Sequence, residues 1–506
     1  MIRRGVRLSS GAFMLASAVV LMSYASPAVA APVGPGERSD LLWNAKRWLD
    51  YAALQEEGVT GEGVTVAVID EAINTEVPEL AGADVEVRGT TCVDPETGEP
   101  VQIESTDPAI SEHGTNVVSM LAGSGTAEDG GPGAAGIAPK ASVWFYGVGD
   151  VEEVDQCELR DPTRADGDID LARDISLGDG TEIYENPSGE GDATALAARA
   201  AIRDGADIVS VSVLSGLGDW DQVLIEAQAR GVAVVTGTPN PDTELGFIGG
   251  PWLTNGAAPV SAIDANGELL TSAATGDRGS GSSSLAFAAP GASLLGVGDE
   301  SAWGPTRIDG SSYAAPILAG SLALIMQKYP DATVFQALQA MVRTTGAGGE
   351  HEPVWNDTRF GYGYANPKSA LELDPRELPD VNPLFVSDVS DSRCAAPDGS
   401  VGTVSENGDK WACEWSLGPF PPQAEAYAAV VNDGAQVLSD SGERVDSVYG
   451  QAADAPSEAT GSTLWVWIAV GGGIVVLVLI AVVVLATRKR PRAENHHQTV
   501  GGGHER

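Results

Sequence analysis

Histidine is scarce in this chain, with five residues among 506. Three of the five, His496, His497 and His504, lie within the last eleven residues, beyond a long apolar run. Only His113 and His351 precede that run. Any reaction in the main body of the chain that needs an imidazole therefore depends on one of these two residues.

Cysteine is also scarce, and the four residues Cys92, Cys157, Cys394 and Cys413 contain no CxxC spacing, which disfavours a zinc site. In an oxidising compartment, four cysteines indicate two disulfides. The sequence allows three connectivities. We expect Cys92 to pair with Cys157 and Cys394 with Cys413, because each bridge then stays within one region.

Positive charge is the third shortage, since 29 Lys and Arg residues stand against 71 Asp and Glu residues, a net charge of −42 at pH 7. A field of this sign repels phosphate backbones and anionic surfaces, which excludes nucleic acid as an expected partner. We interpret the acidic residues as a solvated surface, with salt adaptation or cation binding as alternatives.

Both ends of the chain carry targeting signals. Three arginines within the first seven residues are followed by an apolar run over 12–25 and by Ala28–Ala30, the layout of a secretory signal peptide over 1–30. The uncharged run 464–487 exceeds the roughly 20 residues that cross a bilayer as a helix, and the basic segment Arg488–Arg492 follows it. We predict one transmembrane helix there, with an extracytoplasmic main body. A buried core helix is the alternative for this run.

The main body alternates between two kinds of pattern. Continuous apolar runs indicate buried parallel strands, at 63–69, 206–213 and 231–235. Helical spacing occurs at 194–203 and 220–230. The alternation predicts an α/β domain with a parallel sheet. Reactive side chains collect at the carboxyl ends of such strands, where Asp70 stands.

An Asp, a His and a Ser stand in three short blocks, Val66–Asp70, Glu112–Thr115 and Gly310–Pro316. Each block alone is weak, because an Asp after a strand is usually a turn or cap residue and a Ser before a helix is usually a cap. We expect one helix over 114–121 and another over 317–329. Ser312 would then lie near a helix N-terminus, where amides and the helix dipole can face an oxyanion.

Together the three blocks resemble those of the subtilase family of serine peptidases. The resemblance covers roughly residues 48–373 and includes the segments Ala288–Gly291 and Gly361–Asn366. It implies a subtilisin-like three-layer α/β fold with a mostly parallel central sheet. It also implies a serine endopeptidase acting on protein or peptide substrates.

The resemblance assigns a role to each matching residue. Asp70 would orient the imidazole, His113 would act as general base and then acid, and Ser312 would attack the scissile carbonyl. Asn240 matches the family's oxyanion-hole amide. His351 matches no family position, and we interpret it as a surface residue. This chemistry requires no cofactor.

The chain departs from the family pattern near three of these positions. Ser311 replaces the usual threonine before Ser312, which is a mild change. Glu71 and Ala72 replace the Thr-Gly or Ser-Gly that commonly follows the aspartate, and Pro239 replaces a glycine before Asn240. An added carboxylate at Glu71 would perturb the pKa of His113. These departures motivate the alternative function of a weakly active or inactive domain that serves as a structural subunit.

The domain order resembles that of the mycosins, membrane-anchored subtilases of type VII secretion systems. That likeness implies exported substrates and a place in a membrane secretion complex. The acidic segment 166–170 suggests a calcium loop, but Leu171 stands where an EF-hand requires glycine and no Glu falls at the twelfth position, so we interpret it as a solvated loop and leave structural calcium undecided. The expected order is a signal peptide (1–30), an N-terminal extension (31–47), the peptidase domain (48–373), a small Cys-paired module (374–450), a linker (451–463), the transmembrane helix (464–487) and a cytoplasmic tail (488–506).

Overall fold

The computed structural model describes residues 33–90, 92–94, 97–149, 192–213, 220–241, 250–271, 285–355 and 360–385, and the backbone of three short strands between 158 and 182. Several predicted features lie outside these residues: the signal peptide, Cys157, Cys394, Cys413, the segment 166–170 and the run 464–487. Within the described ranges, no helix is both long and apolar enough to cross a membrane.

The helices and strands follow one another along the described chain. The helices are α1 (Pro35–Leu41), α2 (Tyr51–Glu56), α3 (Pro108–Ala122), α4 (Ala193–Asp204), α5 (Trp220–Arg230), α6 (Ser311–Lys328), α7 (Val334–Val342) and α8 (Pro367–Glu372). The strands are β1 (Thr65–Asp70), β2 (Asp84–Gly89), β3 (Cys92–Val93), β4 (Ser124–Thr126), β5 (Pro132–Ala135), β6 (Ser142–Gly147), β7 (Glu158–Leu159), β8 (Ser176–Leu177), β9 (Thr181–Glu182), β10 (Ile208–Val211), β11 (Ala233–Gly237), β12 (Ala258–Ile263), β13 (Phe287–Pro290), β14 (Leu294–Asp299), β15 (Ala302–Ile308) and β16 (Gly363–Tyr364).

Eight of the described strands form one parallel sheet in the order β16-β13-β12-β11-β10-β1-β6-β2. Alternate residues of β1 face different cores: Val66 and Val68 pack with α3 and α6, whereas Ala67 and Ile69 pack with α4 and α5. A strand covered on both faces must be apolar throughout, which explains the continuous run in the sequence. The predicted α/β fold with a parallel central sheet is confirmed.

The order of the strands also marks where a site can form. The chain passes from β1 to the edge strand β2, returns to β6 beside β1, and then crosses to β10 on the other side of β1. Such a change of direction opens a crevice at the carboxyl ends of the two adjacent strands. Asp70 ends β1, and Ser212 follows β10 at this edge.

Local signals set most helix boundaries. Asp192 caps α4 by accepting from the amides of Thr194 and Ala195, and Gly205 ends the helix with a φ of 98°. The prediction for α3 was wrong at its start, because the helix begins at Pro108 rather than at residue 114. The Asp107 side chain caps it through the amide of Ala109. His113 therefore lies inside α3.

The segment before β1 packs on this domain from Val33 onward. The Trp43 indole is 5% exposed, and its Nε1 donates to the carbonyls of Ala292 and Ser293, both at 3.1 Å. Arg38 reaches across to Asp129 with both Nη1–Oδ distances at 2.9 Å. These contacts lie more than 90 positions apart in sequence, so local pattern could not predict them.

Two further segments concern the predicted disulfides and module. Cys92 is disulfide-bonded, and its strand β3 pairs with β7, which begins directly after position 157. The pairing with Cys157 stays a prediction, because that residue is outside the described ranges. The first residues of the predicted module lie against the domain: Asn382 donates to the Gly256 carbonyl at 2.8 Å, and Leu384 joins the core.

Candidate active site

Asp70 and His113 form a short hydrogen bond at the carboxyl edge of the sheet. The Asp70 side chain is fully buried, and its Oδ1 lies 2.8 Å from Nδ1 of His113. The same oxygen accepts from the Glu71 amide at 2.9 Å. The imidazole keeps 25% of its side-chain surface exposed. One ring nitrogen is thus held by a carboxylate while part of the ring remains accessible.

Small residues after His113 make this contact possible. A Cβ at Gly114 would collide with the Ala72 carbonyl oxygen and would lie 3.1 Å from Asp70 Oδ1. The Thr115 hydroxyl accepts from the Asn74 amide at 2.8 Å, which ties α3 to the loop after β1. The His-Gly-Thr order therefore follows from how closely the helix approaches the strand end.

Ser312 is the second residue of α6, whose N-cap position is Gly310. Its side chain is half-buried, and its carbonyl accepts from the Ser212 hydroxyl at 2.8 Å, which joins α6 to the end of β10. The next side chain, Tyr313, places its ring 5.9 Å from the His113 ring. Ser312 and His113 therefore belong to the same crevice. Pro316 lies inside α6, because the helix starts six residues before the predicted start at 317.

Asn240 reaches the same helix start from the end of β11. Its Oδ1 accepts from the Ser311 amide at 3.0 Å, and a Cβ on Gly310 would lie 3.6 Å from its amide nitrogen. The Ser311 hydroxyl donates to the Thr238 carbonyl. With its oxygen engaged by a donor, the Asn240 amide presents its NH₂ group toward the residues before Ser312.

The electrostatics of the crevice favour a protonated imidazole. Burial favours neutral His113, but Asp70 outweighs it, with Glu71 and Glu112 contributing, and the pKa of His113 rises to about 9. Burial raises the pKa of Glu112, opposed by His113 and by a hydrogen bond from Asn116. Burial also raises the pKa of Tyr313 well above its usual range. The predicted perturbation by Glu71 is thus present, and Glu112 adds to it.

Sequence reasoning identified Asp70, His113, Ser312 and Asn240, and the structure brings all four to one edge of the sheet. It did not single out Glu112 or the other side chains around the crevice, which are Asn116, Ser212 and Tyr313. Glu112 could have been noticed as an acidic neighbour of His113. The second upstream histidine, His351, makes its hydrogen bonds with Thr345 and Glu352 and is partly exposed. Across the described residues, no group of three or more His, Cys, Asp or Glu side chains is arranged to hold a metal ion.

Comparison with known proteins finds several that are similar to this chain over part of its length. Alkaline elastase YaB of Bacillus sp. (strain YaB) is 27% identical over 318 residues, which cover 62% of this chain and 66% of that protein. Mycosin-2 of Mycobacterium tuberculosis is 27% identical over 135 residues, or 24% of this chain and 23% of its own length. The solved structure of MycP1 from Mycobacterium smegmatis matches 68% of this chain and 87% of its own at 20% identity, with a TM-score of 0.45.

The profile of the subtilase family matches residues 61–363, more than half of the chain. That range contains the three blocks with Asp70, His113 and Ser312 and the segment with Asn240. It also contains the strands β1, β6 and β10, whose order in the sheet creates the crevice. The chain therefore belongs to the subtilase family of serine endopeptidases.

Proposed function

We propose that this protein is a membrane-anchored, extracytoplasmic serine endopeptidase that uses Asp70, His113 and Ser312 to cleave exported proteins. The observation that carries the proposal is the buried contact of 2.8 Å between Asp70 and His113, beside the helix start that bears Ser312. A carboxylate, an imidazole and a hydroxyl in this order form the machinery for acyl transfer from a peptide.

In the proposed reaction, the neutral His113 imidazole removes the proton from the Ser312 hydroxyl as its oxygen attacks the scissile carbonyl. Asp70 keeps Nδ1 protonated, so that the other nitrogen can accept, and it stabilises the imidazolium that forms. The imidazolium then protonates the leaving amine. Water repeats the sequence on the acyl-enzyme and releases the second product.

The negative oxygen of the tetrahedral intermediate needs donors. We assign this role to the Asn240 NH₂ and to the backbone amide of Ser312, because amides of a first helical turn lack intrahelical partners. The Ser311 amide holds the Asn240 oxygen at 3.0 Å, which supports this orientation of the side chain. No cofactor is required by these steps.

Labelling with a fluorophosphonate probe tests the nucleophile. We expect the full-length wild type to be labelled at Ser312, as mapped by mass spectrometry, and Ser312→Ala to lose the label entirely. Ser321→Ala is the matched control, because this serine lies in the same helix and donates to the Ile317 carbonyl at 2.7 Å. It should label like the wild type.

Undiminished labelling of Ser312→Ala would contradict the proposal. Absence of labelling in a folded wild type would instead favour the alternative function, a structural subunit of a secretion complex. Glu71, Ala72 and Pro239 motivate that alternative, but Pro239 does not keep Asn240 from reaching the start of α6.

The cellular location rests on the sequence signals at 1–30, 464–487 and 488–506. The partial likeness to Mycosin-2 supports a role beside a type VII-like secretion system.

A membrane-impermeant fluorophosphonate should label Ser312 in intact cells as completely as in lysed cells. Labelling that appears only after lysis would contradict an extracytoplasmic active domain. A cytoplasmic protein of known abundance provides the control for cell integrity.

A further inference from the structure

Asn116 is a fully buried amide on α3, one turn after Glu112. Its Nδ2 donates to Glu112 Oε2 at 2.7 Å and to the Gly298 carbonyl at 3.0 Å. Its Oδ1 accepts from the Val297 amide at 2.7 Å. Both amide hydrogens and the oxygen are therefore used, and the Glu112 carboxylate is joined to strand β14 through one side chain.

The approach of β14 to this amide depends on a small residue. A Cβ at Gly296 would lie 2.6 Å from Asn116 Oδ1, closer than side-chain carbons come in proteins. Strand β14 pairs with β15, and β15 runs to Ile308, three residues before α6 begins. The contact of Asn116 thus links the helix of His113 to the hairpin that leads into Ser312.

The position of Glu112 matters because of the charges around it. Asp70 and Glu71 approach from the end of β1, and Glu300 approaches from the turn between β14 and β15. On the side of α6, the charges of Glu112 and Asp309 help to raise the pKa of Tyr313. Asp309 is itself paired with Arg307 at 3.1 Å. The carboxylates that act on the imidazole of His113 therefore come from two elements, the end of β1 and α3.

A half-buried carboxylate needs a donor to remain ionised, and the Asn116 amide supplies it in a charge-assisted hydrogen bond. An ionised Glu112 beside the imidazole stabilises the imidazolium over the neutral ring. Because Glu112 is partly buried, salt screens its interaction with the imidazole less than it screens an interaction between exposed groups.

We propose that Glu112, oriented by Asn116, is a positioning residue whose carboxylate stabilises the protonated form of His113 during catalysis. The inference rests on the proposed function for its role in the reaction, but the charge interaction itself does not. Glu112 stabilises the imidazolium that forms as Ser312 loses its proton. The same charge keeps His113 protonated up to a higher pH. The neutral imidazole that acts as base therefore forms only under more alkaline conditions, and activity moves with it.

The variant Glu112→Gln tests the charge without removing the contact, because a glutamine oxygen can still accept from Asn116. We expect the midpoint of the His113 titration to fall by about half a pH unit or more. The measurement is NMR of the full-length protein with ¹³C-labelled histidine, in which His113 is assigned by its loss in His113→Gln. Glu268→Gln removes an exposed carboxylate in another turn and is the matched control.

The same titration in a Ser312→Ala background gives a result whether or not the protein hydrolyses peptides. Failure of the proposed function and failure of this inference are therefore distinguishable. The pH profile of the fluorophosphonate labelling rate adds a second readout, and its acid limb should move in the same direction as the titration. A smaller fraction of folded protein would lower the amplitude of labelling without moving this limb.

Three outcomes decide the inference. A lower midpoint in Glu112→Gln with no change in Glu268→Gln supports it. An unchanged midpoint in Glu112→Gln overturns it. Equal shifts in both variants also overturn it, because they would reflect the general acidity of the protein rather than a group held beside His113.

Discussion

Replacing Asp70 by Asn is expected to lower kcat for peptide hydrolysis by about 10⁴-fold, the size of effect seen when the triad carboxylate of a serine protease is neutralised. Both observed hydrogen bonds, from His113 and from the Glu71 amide, end on the same oxygen, Oδ1. The other oxygen, Oδ2, is buried without a hydrogen-bond partner in the described part of the chain. Neither orientation of an asparagine amide satisfies this arrangement.

If the asparagine nitrogen replaces Oδ1, it faces the Glu71 amide donor and forces His113 to accept at Nδ1. The proton then lies on the nitrogen that should serve as base. If the nitrogen replaces Oδ2, an amide donor is buried without a partner, and the negative charge that stabilises the imidazolium is lost. The rate falls in either case.

The measurement is kcat on an internally quenched peptide that the wild type cleaves, taken at a pH above 9. At that pH the wild-type imidazole is mostly neutral, because the pKa of His113 is raised to about 9. Below it, the wild type is itself limited by a protonated base, so the comparison would understate the loss.

Asp207→Asn is the matched control for this experiment. Asp207 lies at the opposite end of β1 and accepts from the Thr65 amide at 2.8 Å, which an asparagine oxygen can also do. Its kcat should remain close to that of the wild type. A fall of less than about tenfold in Asp70→Asn would contradict the assigned role.

Removing Glu226 is expected to have the largest effect on stability, about 3 to 5 kcal/mol for Glu226→Ala. Its side chain is 1% exposed and joins α5 to α4. It contacts Arg199 and Arg203, both at 2.9 Å, and Arg230 at 3.2 Å. The two arginines of α4 are themselves 5% exposed, so that loss of the carboxylate leaves two buried positive charges close together without the anion that they share.

The pH dependence of this contribution follows from its charge. Burial opposes ionisation of Glu226, but Arg203, Arg199 and Arg230 hold its pKa well below the usual range. A group whose pKa is lowered by folding stabilises the folded state above its unfolded pKa, about 4.3 for glutamate, and loses that effect as the pH falls further. The destabilisation by Glu226→Ala should therefore be full at pH 7 and shrink below about pH 4.

Urea unfolding followed by near-ultraviolet circular dichroism measures the effect. The control is Glu62→Gln, because Glu62 and Lys140 are 3.7 Å apart but 68% and 63% exposed. An ion pair in water contributes little, and this variant should stay within about 0.5 kcal/mol of the wild type. A change of less than about 1 kcal/mol in Glu226→Ala would show that the arginines find other partners.

The class of fold and the order of the Asp, His and Ser blocks follow from the sequence alone. Buried parallel strands are apolar throughout, so that β1, β10 and β11 were visible as continuous runs. α5 was predicted with its observed ends, and α4 to within one residue, because local signals mark such boundaries. α3 starts six residues before the predicted position, because Asp107 caps the helix and Pro108 begins it.

The electrostatics of the site and the packing that supports it depend on contacts that form only in the folded chain. The Asn116 amide meets β14 across 181 positions of sequence, and Trp43 meets the Ala292 carbonyl across 249. Glu226 gathers three arginines on two helices, and Tyr313 reaches the His113 ring from another. Such contacts depend on the order of strands in the sheet and on the crossing of helices. Local periodicity and capping carry no information about either, because they report the neighbours of a residue along the chain and not those in space.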